Sequence, residues 1–207
     1  MKQALTIGCG GGNGSVVIDT LLDKGYNVTN LGNNEHPVAT NVQIAWGELQ
    51  IANLNKLLKF EVPLDFIFFN QNASSLDSDA FDFSNVDTLA VWKLIKNWQH
   101  SYWISCQMPF LLLHNLKHNL TPHTKIGWML SSNMIWDRPD VQKYPDYSSH
   151  KYFNYLAMNC FSKHYQTFGI MPDFSIPNAR NEMKKIITTV CDQDVDNSIF
   201  KFVTEKD

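Results

Sequence analysis

Tyr147-Ser-Ser-His-Lys151 sets a phenol and an ammonium four residues apart, a spacing that puts both on one face of a helix. An ammonium beside a phenol stabilises the phenolate and lowers the tyrosine pKa. That suits Tyr147 to donate or accept a proton. Upstream, Lys125–Leu130 reads as a strand that runs into Ser131 and Ser132. A hydroxyl at the carboxyl end of a strand lies where open α/β sheets place ligands. Ser132 is favoured over Ser131 because it is the nearer of the two to Tyr147 in sequence.

A second constellation lies near the start, in TIGCGGGNGSVV (Thr6–Val17). A P-loop requires a lysine directly after the glycines, and none occurs before Lys24. The G-x-G-x-x-G pattern starts at Gly8 and Gly10 but meets Asn13 at its third glycine. The wider G-x-x-x-G-x-G fits at Gly8, Gly12 and Gly14. Glycines between a strand and a helix let the backbone turn tightly and approach a diphosphate held at the helix N-terminus. Gly8, Gly12, Asn13 and Gly14 are therefore the candidate loop for a dinucleotide. The second strand ends at Leu31-Gly32-Asn33-Asn34, with neither a carboxylate for ribose hydroxyls nor a basic residue. With no carboxylate to repel an extra phosphate, NADP is favoured over NAD. Asn33 and Asn34, with Lys2, are the candidate donors to it.

These groups need a scaffold, and the pattern supplies one. Ala4–Ile7, Tyr26–Leu31, Val42–Ala45, Leu64–Phe69, Lys125–Leu130 and Ser198–Val203 read as strands. Helical spacing covers Ser15–Lys24, ended by Gly25, then Leu49–Lys59, and Leu89 to about His118, divided by Pro109. Tyr147–Phe168 reads as a helix stopped by Gly169. An acidic, Ser-rich loop follows Phe69 through Asp87 and reads as solvated surface. Alternating strands and helices predict an α/β fold, a doubly wound parallel sheet (Rossmann fold), with residues 1–207 as one domain.

Taken together, these segments resemble the short-chain dehydrogenase/reductase superfamily over nearly the whole chain. The glycine loop is similar to that family's cofactor motif, with Ile7 where threonine is usual. Gln71-Asn72-Ala73-Ser74 resembles its N-N-A-G segment, and Gly169-Ile170 through Pro177-Asn178 its segment after the catalytic helix. Ser132, Tyr147 and Lys151 match its catalytic set in order and separation. The resemblance implies hydride transfer between NADP or NAD and a small carbonyl or alcohol substrate. Tyr147 would move the proton, Lys151 would lower its pKa and bind the nicotinamide ribose, and Ser132 would orient the carbonyl oxygen. Asn72, Ala73 and Pro177 would touch the cofactor. The chain departs from the family at Ser105, where a catalytic asparagine is usual, and at Asn178, where glycine is. It departs again at Ala45-Trp46, where an aspartate is usual, and Pro172 falls inside the expected sixth strand. The segment between Pro177 and the last strand is short, which leaves the substrate pocket open or completed by a partner.

The remaining features narrow the classes. A net charge of −3 and the lack of a Lys/Arg run argue against nucleic acid or an anionic membrane. No apolar run approaches the ~20 residues that span a bilayer. Four scattered cysteines fit a reduced, cytoplasmic protein. His114 and His118 read as an exposed helical pair, since HNLKH lacks the glutamate of a zinc motif, and no metal is expected. Trp92, Trp98, Trp103 and Phe110 read as core or subunit interface, and the resemblance implies a homodimer or homotetramer. Two other readings stand beside the oxidoreductase. One is a non-catalytic NAD(P)-binding sensor or scaffold of the same fold. The other is a nucleotide-sugar epimerase or dehydratase, for which the C-terminal part is too short.

Overall fold

Phe66–Phe69 (β4) is apolar at all four positions and buried at all four, which requires a strand covered on both faces. In the computed structural model, residues 1–44, 58–71, 88–131, 145–172 and 178–202 are described. The strands are β1 (Lys2–Ile7), β2 (Tyr26–Gly32), β3 (Thr40–Gln43), β4, β5 (Lys125–Met129), β6 (Gln166–Met171) and β7 (Ser198–Lys201). They form one parallel sheet in the order β3-β2-β1-β4-β5-β6-β7. The doubly wound α/β fold expected from the alternation is the one observed. The order reverses between β1 and β4, and the crevice at such a switch point, beyond the strands' carboxyl ends, is where these sheets bind ligands.

Alternate residues of each strand feed two cores. On one face, Ala4, Val28, Phe66, Phe68 and Phe168 meet Val17, Ile18 and Leu21 of α1 (Ser15–Asp23). On the other, Leu5, Ile67, Phe69 and Trp128 meet Met108, Leu112 and Met158, carried by the helices described next. Trp128 lies between Phe69 and Phe161, with ring centroids 5.5 and 6.1 Å away.

The long apolar-aromatic region is a helix in two pieces, α2 (Thr88–Tyr102) and α3 (Met108–Asn115), joined by a π turn at Trp103–Gln107. Pro109 lacks an N–H, and its ring would press on the Ser105 carbonyl of a regular helix. The widened turn relieves this, with the Met108 N–H bonding the Trp103 carbonyl five residues back. Trp92 and Trp98 are exposed on α2, and Trp103 packs against the second core. His114 lies on α3 but His118 lies in a separate 3-10 turn (Lys117–Asn119), so the two do not share one helix.

The helix carrying Tyr147 corrects the sequence reading. It is α4 (Pro145–Phe161), and it stops well before Phe168. Thr167, Phe168, Gly169 and Ile170 instead form β6, buried between β5 and β7. A short, β-prone apolar run has no period that separates strand from helix, and burial between two partners decides it. Pro172 follows the last residue of β6, so its missing N–H breaks no ladder. Of the helix expected at 49–59, Leu58 and Lys59 are not helical, and the rest lies outside the described residues, as do Ala45 and the acidic loop at 72–87.

One helix went unread in the sequence, α5 (Ala179–Asp192). Its Met183, Ile186, Ile187, Val190 and Cys191 recur at helical spacing and pack against the α1 core. Lys125 Nζ donates to the carbonyls of Val190 and Gln193, at 2.7 and 2.8 Å, and closes the helix's C-terminus. Among the described residues, no helix is long and apolar enough to cross a membrane.

Candidate active site

The glycine loop leaves β1 at the switch point and is fixed on both sides. The Gly8 N–H donates to the Leu31 carbonyl (2.9 Å), and the Asn70 carboxamide, just past β4, donates to the Gly8 carbonyl (3.0 Å). A 3-10 turn at Gly12–Gly14 leads into α1, where Ser15 Oγ donates to the Gly12 carbonyl at 2.9 Å. The tightest approach is at Gly10. A Cβ there would stand 1.8 Å from the Asn34 carbonyl oxygen, so only glycine lets the loop lie against the end of β2. That cradle, opening onto the start of α1, fits a dinucleotide's diphosphate.

The far side of the loop is held by a buried amide network. Asn30 Nδ2 donates to the Asn34 carbonyl (2.9 Å) and to Asn41 Oδ1 (3.2 Å). Asn41 in turn accepts the His36 N–H and donates to the His36 carbonyl. His36 Nε2 lies 3.1 Å from Asp19 Oδ1 on α1. Asn33 and Asn34 are exposed on this braced turn, at the β2 end of the crevice.

Across the crevice, a cleft of about 160 Å³ collects the chemistry. Gly11, Asn13 and Gly14 come from the loop and Asn70 from the end of β4. Met129 and Leu130 come from the end of β5, Pro172 from the end of β6, and Tyr147 and Lys151 from α4. Helical spacing does bring the last two together, with Lys151 Nζ 5.4 Å from the centroid of the Tyr147 ring. Lys151 is 3% exposed, and its Nζ donates to the Met129 carbonyl at 2.8 Å. Burial pulls its pKa down from 10.5 to about 8, opposed by the nearby Cys106 sulfur. Burial likewise pushes the Cys106 thiol up to about 12, opposed by Lys151.

This burial has a consequence for stability. Between about pH 8 and 10.5 the unfolded chain holds a Lys151 proton that the folded chain has released, so stability rises with pH across that window. Below it, the buried ammonium costs the fold on the order of 3 kcal/mol. Urea titrations of the wild type and Lys151→Met should therefore show the wild type gaining on the variant from pH 8 to 10.5. A difference that stays constant with pH contradicts this.

Of the residues singled out in the sequence, Asn13, Gly14, Tyr147 and Lys151 meet in the cleft, with Gly8 and Gly12 in the loop that frames it. Asn33 and Asn34 stand apart, beyond Gly10. Ser105 is buried on the π turn and is not among the residues lining the cleft. Ser131 follows Leu130 at the end of β5 and is half-buried. Ser132, Asn72, Ala73 and Pro177 lie outside the described residues. Sequence reasoning missed Asn70, whose signal was its place as the first polar residue after the apolar β4 run. It also missed Asn30, Cys106 and Arg180, whose positions depend on contacts between distant segments.

Solved structures of this fold are numerous, and three illustrate the likeness. A short-chain dehydrogenase family protein from Francisella tularensis superposes with a TM-score of 0.71 at 16% identity, covering 98% of this chain and 97% of that one. A carbonyl reductase from Pseudomonas aeruginosa PAO1 gives 0.73 at 13%, covering 97% and 95%. The Pseudomonas aeruginosa RhlG/NADP active-site complex gives 0.74 at 13%, covering 97% and 94%. No family model and no curated protein matches the sequence. The chain shares the fold of these solved structures and spans nearly their full length.

Proposed function

We propose that this chain is an NAD(P)-dependent oxidoreductase of the short-chain dehydrogenase/reductase type, acting on a small carbonyl or alcohol, with NADP favoured over NAD. The observation that carries the reading is the convergence of Tyr147, Lys151, Asn13 and Gly14 on one cleft at the switch point of the sheet. The likeness to structures described with NADPH, NAD and NADP supports a nicotinamide cofactor without choosing among them.

The glycine loop would hold the diphosphate, Asn33 and Asn34 the adenosine end, and Lys151 the nicotinamide ribose, with Asn72, Ala73 and Pro177 as further contacts. Bound there, the nicotinamide supplies or takes the hydride. Tyr147 gives its phenolic proton to the carbonyl oxygen as the alcohol forms and takes it back in the reverse direction. Lys151, charged below about pH 8 and held by the Met129 carbonyl, favours the phenolate. Ser132 orients the carbonyl oxygen by hydrogen bonding. The ammonium's role makes turnover fall above about pH 8.

A sensor or scaffold that binds dinucleotide without turnover is the second reading, favoured by Ser105 lying off the cleft. Titration with NADPH and NADH, followed by a panel of aldehydes and ketones, separates the two. Binding with turnover supports the enzyme, and binding with no turnover across the panel supports the sensor.

A further inference from the structure

The loop from Gly8 to Gly14 contains no lysine or arginine. A diphosphate carries two negative charges, and in that loop it would meet no cationic side chain. Yet a cation does reach the loop, from the far end of the sequence. Arg180, in the first turn of α5, donates from Nη1 to the Gly12 carbonyl and from Nη2 to Ser15 Oγ, both at 3.3 Å. These contacts are long and exposed, so they are weak and exchangeable. The helix that carries the guanidinium is firmly seated, because Met183, Ile186 and Ile187 of α5 share a core with Val16 and Val17 of α1. Lys184 to Asp23 (2.8 Å) and Lys24 to Asp192 (2.6 Å) add pairs between the same two helices.

The position is specific along the crevice. Gly10 and Gly11 lie against Asn34 at the β2 end, and Gly11, Asn13 and Gly14 line the cleft with Tyr147 and Lys151. A ligand that spans both ends passes along this loop, whose Gly12 carbonyl Arg180 holds. A Cβ at Gly12 would meet nothing within 4 Å. The middle of a dinucleotide is its diphosphate, and the planar fork of an arginine matches phosphate oxygens two at a time.

We propose that Arg180 is the cation that binds the cofactor's diphosphate, supplied by α5 to a glycine loop that lacks one. The assignment rests on the dinucleotide reading above. Its test is titration of the full-length wild type, Arg180→Gln and Arg180→Lys with both NADPH and NADH, following energy transfer from tryptophan. At about 0.01 M salt, where the Debye length is ~30 Å, Arg180→Gln should bind both cofactors about tenfold more weakly. At about 1 M salt, where that length is ~3 Å, the gap should shrink to about threefold or less. Arg180→Lys, which keeps the charge, should lose less than the glutamine variant. Equal affinity in wild type and variant overturns the proposal. A loss that salt does not change makes Arg180 a support for the loop and overturns it too. A loss confined to NADPH would place the guanidinium on the 2′-phosphate, which also overturns it. If the wild type binds neither cofactor, it is the functional reading that fails first.

Discussion

Tyr147→Phe is expected to lower kcat by about 10² to 10⁴-fold, the range for losing a positioned general acid. The affinity for NADPH should stay within about threefold, since under a tenfold change is less than about 1.4 kcal/mol. The ring would remain where it stacks near Lys151 Nζ, 5.4 Å from its centroid, and only the proton-bearing oxygen would be lost. Steady-state turnover of whichever carbonyl compound the wild type reduces, set beside a binding titration, checks both halves. Undiminished turnover in the variant would remove Tyr147 from the chemistry. Equal loss of binding and turnover would make it a cofactor-positioning residue instead.

Gly10→Ala should be the most damaging single change in the loop. The added Cβ would fall 1.8 Å from the Asn34 carbonyl oxygen and 2.5 Å from its carbonyl carbon, and that backbone is tied to Asn30 at 2.9 Å. Neither side is a flexible side chain, so the loop and the turn after β2 must part. Overpacking of this kind costs about 1–3 kcal/mol. That lowers Tm by roughly 2–4 °C per kcal/mol in a chain of this size, and dinucleotide affinity should fall at least tenfold. Gly12→Ala supplies the contrast. It meets no neighbour within 4 Å and suffers only its backbone angle, φ +58°, a penalty of about 1–2 kcal/mol. Thermal melts and NADPH titration of the two variants should place Gly10 below Gly12 in both measures. The reverse order would mean that the loop's register against β2 is not what holds it.

That contrast marks how far the sequence could be read. The spacing of Gly8, Gly12 and Gly14 identifies a loop between a strand and a helix, because those conformational needs are local. It does not single out Gly10, because the constraint there is the Asn34 backbone from the next strand. Tyr147 and Lys151 were legible as a pair for the same local reason, one turn of helix apart. The partner that holds Lys151 was not, since the Met129 carbonyl comes from the end of β5. Ser105 stands where the resemblance implies a catalytic asparagine, and it is buried on the π turn. The overrun of the Tyr147 helix to Phe168 shows the limit of periodicity in short apolar runs. Burial between β5 and β7, which no local pattern encodes, makes that run a strand.

The proposed reading puts a nicotinamide dinucleotide in the crevice between Asn34 and Tyr147. It is tested most directly by exciting the six tryptophans of the full chain while adding NADPH, and then NADH. Saturable quenching with energy transfer to the dihydronicotinamide is expected, tighter for NADPH, and displaced by the oxidised cofactor. Absence of saturable transfer from both cofactors would contradict it.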